Sequence, residues 1–320
     1  MADGPYLEFE KPIAELEKKI SDMKDFSVGE NIELSGEIAS MQKKLDKLRQ
    51  DIYNNLTRWQ KVQLSRHPKR PYTLDYIKMI SKDFIELHGD RYFADDKAMV
   101  GGLGMIDGQK VMFIGQQKGR DTKEKLHRNF GMAHPEGYRK ALRLFYLAEK
   151  FNIPIIILID TPGAFPGIGA EERGQAEAIA RNIREMSRIK VPIVCIIIGE
   201  GASGGALGIG VGDIVLMLEY SWYSVISPEG CAAILWRNAI HAPEAADALR
   251  VTSSDNLSLK IVDKVIKEPP SGAHTDPKQA AVYVKEAILD ALKQLKETPV
   301  DQLLMNRLQK YRTIGEFDNS

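Results

Sequence analysis

The sequence is poor in the residues that build disulfide frameworks and zinc sites. Only two cysteines, Cys195 and Cys231, occur among its 320 residues, and they are not in a CxxC spacing. A pair so placed argues against a cysteine-based zinc motif and gives no sign of a disulfide framework. Cys195 lies inside an apolar run, where a small core residue is more common than a nucleophile. The six histidines show no ligand spacing on a helix, so we expect no metal in this chain.

The sequence also lacks an excess of charge and a long apolar run. Its 44 lysines and arginines balance 44 aspartates and glutamates. That balance gives no electrostatic reason to expect nucleic acid or an anionic membrane as the main partner. No apolar stretch reaches the roughly 18 residues of a membrane-spanning helix, and the acidic first residues show no signal-peptide pattern. We therefore expect a cytoplasmic protein.

Residues 1–65 are predicted to form a charged helical hairpin. Leu16, Ile20 and Met23 define one narrow apolar stripe, and a second stripe runs over 38–56. Narrow stripes on charged helices usually need another surface to cover them. We interpret the hairpin as a docking arm for another subunit, and an arm packed on its own body is the alternative.

The middle of the chain repeats one unit, a strand followed by a glycine-rich turn and a helix. The unit recurs over 111–150, 153–190 and 193–211. Its strands are short β-branched runs, typical of strands buried on both faces. Strands that alternate with helices predict an α/β fold with a parallel sheet, whose functional loops follow the carboxyl ends of the strands.

Local patterns predict the remaining elements. Asp107-Gly108 is a strong turn signal between two apolar runs, and Thr73 is a typical helix cap. The predicted elements are a helix over Thr73–Leu87, strands over Ala98–Ile106 and Val111–Gly115, a helix over 137–152, a helix over 171–190, strands over 214–218 and 223–226, a helix after Ser227, a helix and a strand over 255–267, and two closing helices over 277–312.

One stretch, IVCIIIGEGASGGALGIG over Ile193–Gly210, has the strongest functional signal. A buried strand leads into a burst of glycine and a short helix predicted over 206–211. Backbone N–H groups exposed at such a turn can stabilise negative charge that develops on oxygen. We hypothesise that Gly204 and Gly205 form an oxyanion-type site. The alternative is that these glycines only permit a tight turn and close packing.

Two known enzyme motifs in this stretch lack a necessary partner feature. Gly199–Gly204 is a formal GxGxxG, but the helix after it is too short for the crossover of a dinucleotide-binding unit. Ser203 lies between Gly201 and Gly205 in the GxSxG spacing, but neither downstream histidine has the context of a triad partner.

Two further features have open roles. Glu200 and Glu229 each border a glycine turn, where a carboxylate could act as general acid or base, or could form a structural hydrogen bond. The loop over 115–125 carries four lysines and arginines. It could attract a phosphate-bearing ligand, although a solvated loop is the simpler interpretation.

Seven sequence blocks resemble one enzyme family. They are RPYTLDYI at 70–77, GQQKGRDTKE at 115–124, RNFGMAHPEGYRKALRL at 128–144, IDTPGAFPG at 159–167, AEERGQ at 170–175, GEGASGGALGIG at 199–210 and YSVISPEGCA at 223–232. In these blocks the chain resembles the carboxyltransferase alpha subunits of bacterial acetyl-CoA carboxylases. Ala202 departs from the glycine that the family often has there. Because alanine is small, we expect no loss of function.

The resemblance implies a crotonase-like (ClpP/crotonase) α/β fold, a spiral of repeated ββα units with an N-terminal helical hairpin. It divides the chain into a helical arm over 1–65, a carboxyltransferase domain over 66–298 and a C-terminal helical tail over 299–320. Such enzymes transfer a carboxyl group from carboxybiotin to acetyl-CoA. The product is malonyl-CoA, and the reaction is the first committed step of fatty-acid biosynthesis.

The resemblance also implies partners and site residues. Biotin is carried on a separate biotin carboxyl carrier protein, with biotin carboxylase as a further partner. A similar beta subunit, in an α2β2 assembly, supplies the rest of the active site and holds the family's zinc. The amides of Gly204 and Gly205 would stabilise the ureido oxygen of biotin. The residues implied to bind substrate are Gly163, Ala164, Phe165, Gly201 and Ser203. A stand-alone enoyl-CoA hydratase or isomerase is the alternative function.

Overall fold

The structure is a computed structural model that describes residues 6–29 and 33–315, apart from the side chain of Val28. Its helices are α1 (Lys11–Gly29), α2 (Ser35–Asn54), α3 (Arg58–Ser65), α4 (Thr73–Ile80), α5 (Thr122–His127), α6 (Pro135–Lys150), α7 (Ile168–Glu172), α8 (Gln175–Met186), α9 (Ser203–Leu207), α10 (Pro228–Trp236), α11 (Ala242–Leu249), α12 (Ser253–Ser258), α13 (Pro277–Leu295) and α14 (Val300–Arg312). Its strands are β1 (Lys82–Glu86), β2 (Met99–Ile106), β3 (Gln109–Gln116), β4 (Ile155–Thr161), β5 (Ile193–Ala202), β6 (Ile214–Leu218), β7 (Trp222–Ser224) and β8 (Lys264–Ile266). Within the described ranges, no helix combines the length and apolarity needed to cross a bilayer.

The strands form one mixed sheet in the order β1-β2-β3-β4-β5-β6-β8, and β7 pairs with the end of β5. The first three strands are antiparallel neighbours, whereas β3, β4, β5, β6 and β8 pair in parallel. The predicted turn at Asp107-Gly108 is present, and its two residues have φ angles of 45° and 83°. Because β3, β4 and β5 run in parallel, the loops that follow them meet at one edge of the sheet.

Helices cover both faces of the central strands, as the unbroken apolar sequences predict. Every residue of β4 and β5 is buried. Ile155, Ile157 and Ile159 pack with residues of α6 and α8 on one face. Ile156 and Leu158 pack with residues of α4 and α13 on the other. The predicted α/β class is confirmed, and this packing fixes the position of the strand ends.

The N-terminal hairpin is present, and its apolar stripes are covered within this chain. Ile13 and Ile20 of α1 lie in one cluster with Leu45 and Tyr53 of α2, and Tyr220 of the body completes the cluster. The two stripes therefore pack chiefly on each other, with Leu64 and Tyr220 in the same cluster. Docking of the arm on another subunit stays a prediction.

The helix predicted over Thr73–Leu87 is too long. It ends at Ile80, and the next residues form the edge strand β1, because they pair with β2. Thr73 is not the cap: Tyr72 occupies that position, and the Thr73 hydroxyl donates to the carbonyl of Gln116 instead. Non-local pairing overrides the local helical pattern here.

Two other predicted helices also differ. The helix expected over 171–190 is split into α7 and α8 at Gly174, whose φ of 83° interrupts the helix. The short helix expected over 206–211 begins earlier, at Ser203. It follows directly on β5, which ends at Ala202. The other predicted elements are present, with ends shifted by a few residues.

We expect the stability of the chain to depend on the buried face of β4. Ile157→Ala should lower the free energy of unfolding by roughly 2–5 kcal/mol, because it leaves a cavity in a packed core. Ile168→Ala is the matched control, since Ile168 is 77% exposed, and it should change this value by no more than about 0.5 kcal/mol. Urea unfolding measures both variants. Equal losses would contradict the packing described here.

Candidate active site

The glycine turns after β4 and β5 touch through their backbones. A side-chain carbon placed on Gly205 would lie 2.4 Å from the carbonyl carbon of Gly163 and 2.4 Å from the amide nitrogen of Ala164. Only glycine allows so close an approach. Among the residues predicted to form the site, the structure thus brings Gly163, Ala164 and Gly205 together.

The neighbouring glycine, Gly204, is half-buried and has room for a small side chain. The nearest atoms to a side-chain carbon on Gly204 belong to Ile179, at 3.8 Å. The first amides of a helix have no partner within it. In the described part of the chain, no side chain or loop carbonyl accepts a hydrogen bond from the amide of Gly204 or Gly205. These two amides thus have no protein acceptor in the described ranges, with Gly204 half-buried and Gly205 buried.

The other predicted site residues surround this turn in different ways. Phe165 lies in the loop after β4 and stacks on His134, with ring centroids 4.2 Å apart. Gly201 is enclosed in the sheet, paired with Thr161 on one side and Tyr223 on the other. Ser203 is exposed and has a φ of 55°.

Ser203 lacks the partners of a catalytic nucleophile. His241 bonds to Glu244, and His274 stacks on His67 with ring centroids 4.0 Å apart. Neither downstream histidine forms a hydrogen bond with Ser203. Without a neighbouring base the serine hydroxyl is not activated, which agrees with the sequence interpretation.

Beside the turn lies a cluster of paired charged side chains, and the sequence did not indicate that they would meet. The Lys118 ammonium lies 2.7 Å from the Asp160 carboxylate and also bonds Glu200. Arg66 donates to Glu200 at 2.6 Å and to Glu229. The amide of Glu200 donates to Asp160 at 2.9 Å. These bonds tie the ends of β3, β4 and β5 to the start of α10.

The charges of this cluster determine what Glu200 can do. Burial acts to raise the pKa of Glu200, but Lys118 and Arg66 outweigh it and hold this pKa at about 2. Burial raises the pKa of Asp160, against the opposing effect of Lys118. A carboxyl with a pKa this low stays ionised near neutral pH. Glu200 is therefore a poor general acid or base.

Two buried side chains that sequence reasoning missed bond to the same turn. Gln116 Nε2 and the Tyr138 hydroxyl each donate to the carbonyl of Gly205 at 3.1 Å. Both residues stand in sequence blocks that carry the family resemblance, but nothing in their local pattern indicates contact with α9. Only the packing of β3 and α6 against α9 brings them there.

A second polar cluster links the arm to the body. One possible ligand atom from each of Glu10, His67 and His274 lies within 4.8 Å of the others, a grouping that histidine spacing could not indicate. Nδ1 of His67 already accepts from the amide of Lys69 at 3.2 Å, and Glu10 accepts from the Tyr53 hydroxyl. This bonding favours a hydrogen-bonded link over a metal centre, because a ligating imidazole normally donates from its second nitrogen.

The family model described as "acetyl co-enzyme A carboxylase carboxyltransferase-like" matches residues 6–315. The chain belongs to this family. The carboxyl transferase subunit alpha of acetyl-coenzyme A carboxylase from Geobacter metallireducens is 58% identical over 317 residues, which are 99% of each chain. The subunit of the same name from Chlorobium luteolum is 56% identical over 333 residues, covering 100% of this chain and 99% of that one.

Solved structures of a transcarboxylase and a malonate decarboxylase have the same fold. A transcarboxylase 12S structure with methylmalonyl-coenzyme A bound has a TM-score of 0.58 at 20% identity and covers 71% of this chain. A Pseudomonas malonate decarboxylase hetero-tetramer in complex with coenzyme A has a TM-score of 0.59 at 16% identity, and covers 74% of this chain and 92% of that one. This chain spans only 42% of the transcarboxylase chain. The predicted crotonase-like fold with an N-terminal helical hairpin is confirmed.

The family departure at Ala202 is compatible with this backbone. Its φ of −105° and ψ of 128° are extended values that any residue adopts. The expectation that alanine is tolerated here therefore agrees with the structure.

The ion pairs of Glu200 should give this family member a pH-dependent stability. The pKa lies below its usual 4.5, so the stabilisation is complete above about pH 4.5 and is lost as the pH falls towards 2. Glu200→Gln should lower the free energy of unfolding by about 3 kcal/mol at pH 7. The difference in the free energy of unfolding between this variant and the unchanged chain should narrow below pH 4.5. Denaturant unfolding at several pH values tests this, and a difference that does not vary with pH would contradict it.

Proposed function

We propose that this chain is the alpha subunit of the carboxyltransferase component of acetyl-CoA carboxylase. It would transfer the carboxyl group of carboxybiotin to acetyl-CoA and form malonyl-CoA. The supporting observation is the turn in which Gly204, whose amide has no acceptor in the described ranges, precedes the close contact of Gly205 with Gly163. Relatives more than half identical over nearly their whole length have the subunit's name.

The turn would hold the biotin ureido group through backbone amides. Carboxybiotin, when bound, supplies the carboxyl group, a ureido oxygen on which negative charge develops, and a nitrogen base for the α-proton of acetyl-CoA. The amides of Gly204 and Gly205 would donate to that oxygen and would stabilise the transition state by roughly 3 kcal/mol. Ala164 and Phe165 would wall the biotin ring, with Ser203 at the rim of the cleft.

The side chains around the turn would stabilise structure rather than move protons. Glu200 and Glu229 both bond to Arg66, and Lys118 neutralises Glu200 further. A stand-alone hydratase needs a carboxyl group that can exchange its proton. The ion pairs therefore oppose the hydratase alternative, and they suit a reaction whose base belongs to the bound biotin.

A beta subunit would complete the active site. We propose an α2β2 assembly in the cytoplasm that works with biotin carboxylase and the biotin carboxyl carrier protein. One support is the apolar surface of α10, where Ile234 and Leu235 are 70% and 64% exposed. Exposed apolar patches of this kind are typical of protein contacts.

The decisive variant removes the amide N–H of Gly204. Gly204→Pro deletes an N–H in the first turn of α9, and it also restricts the backbone of Ser203, whose φ is 55°. It should lower kcat for malonyl-CoA formation about 100-fold, as loss of an oxyanion donor does. Gly204→Ala keeps the N–H, and its side-chain carbon has room. Its fall in kcat should therefore be at least tenfold smaller than that of Gly204→Pro. The assay uses the chain with its beta subunit, acetyl-CoA and carboxybiotin.

Two results would contradict the proposal. One is equal activity of the proline and alanine variants in a complex that still assembles. The other is hydration of enoyl-CoA by the purified chain alone, which would favour the hydratase. Gly205 is the poorer position for this test, because any side chain there collides with the backbone of Gly163 and Ala164.

A further inference from the structure

We propose that Gln116 and Tyr138 are positioning residues for carboxyl transfer, which hold the α9 turn in the conformation that the reaction uses. The inference rests on the proposed function and adds two side chains that would not touch substrate. Both are fully buried, and both donate to one atom, the carbonyl oxygen of Gly205, at 3.1 Å.

The two donors replace a backbone bond that the turn does not make. In a continuing helix the carbonyl of Gly205 would accept from the amide of Ile209. Here the amide of Ile209 donates to Ala206 instead, and the amide of Gly208 donates to Gly204. The carbonyl of Gly205 would otherwise be a buried acceptor without a partner, which is costly.

The turn needs this restraint because of its glycines. Gly204 and Gly205 can adopt more backbone conformations than other residues, and the amides face a reacting oxygen only in one of them. A peptide unit is planar, so holding the carbonyl of Gly205 fixes the whole unit that joins it to Ala206. The bonds from Gln116 and Tyr138 therefore limit the rotation of the segment that presents the amides.

Both side chains are themselves fixed. Oε1 of Gln116 accepts from the amide of Asp160 at 3.2 Å, so its amide group is bound at both ends. The ring of Tyr138 lies against Gly208, where a side-chain carbon would be 2.8 Å away. Its backbone carbonyl accepts from Asn182 at 2.9 Å. The restraint thus connects α9 to β3, β4, α6 and α8.

The test removes the two donors singly and together. Tyr138→Phe and Gln116→Leu should each lower kcat of the complex with the beta subunit about fivefold, the value of one ordinary hydrogen bond. The double variant should have a lower kcat than either single variant, and KM for acetyl-CoA should not change. Tyr76→Phe is the matched control. Tyr76 is fully buried and its hydroxyl has no hydrogen-bond partner, so kcat should stay unchanged.

A second measurement does not depend on activity. Hydrogen exchange of the peptide over 203–208 should be faster in the Tyr138→Phe variant and fastest in the double variant, while β4 and β5 keep their protection. If the double variant does not fold, the Tyr138→Phe variant suffices, because its ring can still pack on Gly208.

The outcomes are distinguishable. Faster exchange with lower kcat supports the inference. Unchanged exchange, or faster exchange with unchanged kcat, overturns it, and so does a rise in KM without a fall in kcat. If the wild-type complex forms no malonyl-CoA, the proposed function fails. The exchange rates then still show whether the two side chains hold the turn.

Discussion

The active-site edge depends on one backbone-to-backbone contact. Gly205 lies so close to the Gly163–Ala164 peptide that a single side-chain carbon would approach it within 2.4 Å. This contact sets how the loop after β4 meets α9, and hence where the amide of Gly204 lies. The surrounding features serve the same arrangement: buried apolar strands fix the ends of β4 and β5, and polar side chains fix the turns that follow them.

In the charged cluster beside the turn, each carboxylate is paired with a cation. Lys118 and Arg66 between them form ion pairs with Glu200, Asp160 and Glu229, and these pairs keep Glu200 ionised although it is buried. Removal of one member would leave another charge buried without its partner, which costs more than the pair contributes. The cluster thus cross-links three strand ends and α10.

Much of the fold could be read from local patterns. The β-branched runs predicted β4 and β5, and the Asp107-Gly108 turn predicted the β2–β3 hairpin, because these signals depend on neighbouring residues. The segment over 82–86 was assigned to a helix wrongly, since only its pairing with β2 makes it a strand. The apolar stripes of the arm could be predicted, but only the fold shows that they pack on each other and on Tyr220, which is distant in sequence.

The sequence by itself determined the α/β class, the family resemblance and the glycine turn at Gly204 and Gly205, because all three are contiguous patterns. The tertiary structure alone decided which distant side chains meet that turn. Gln116 and Tyr138 reach the carbonyl of Gly205, and Arg66 reaches Glu200 across more than a hundred residues. Such contacts follow from how strands and helices pack, and the spacing of residues along the chain does not indicate them.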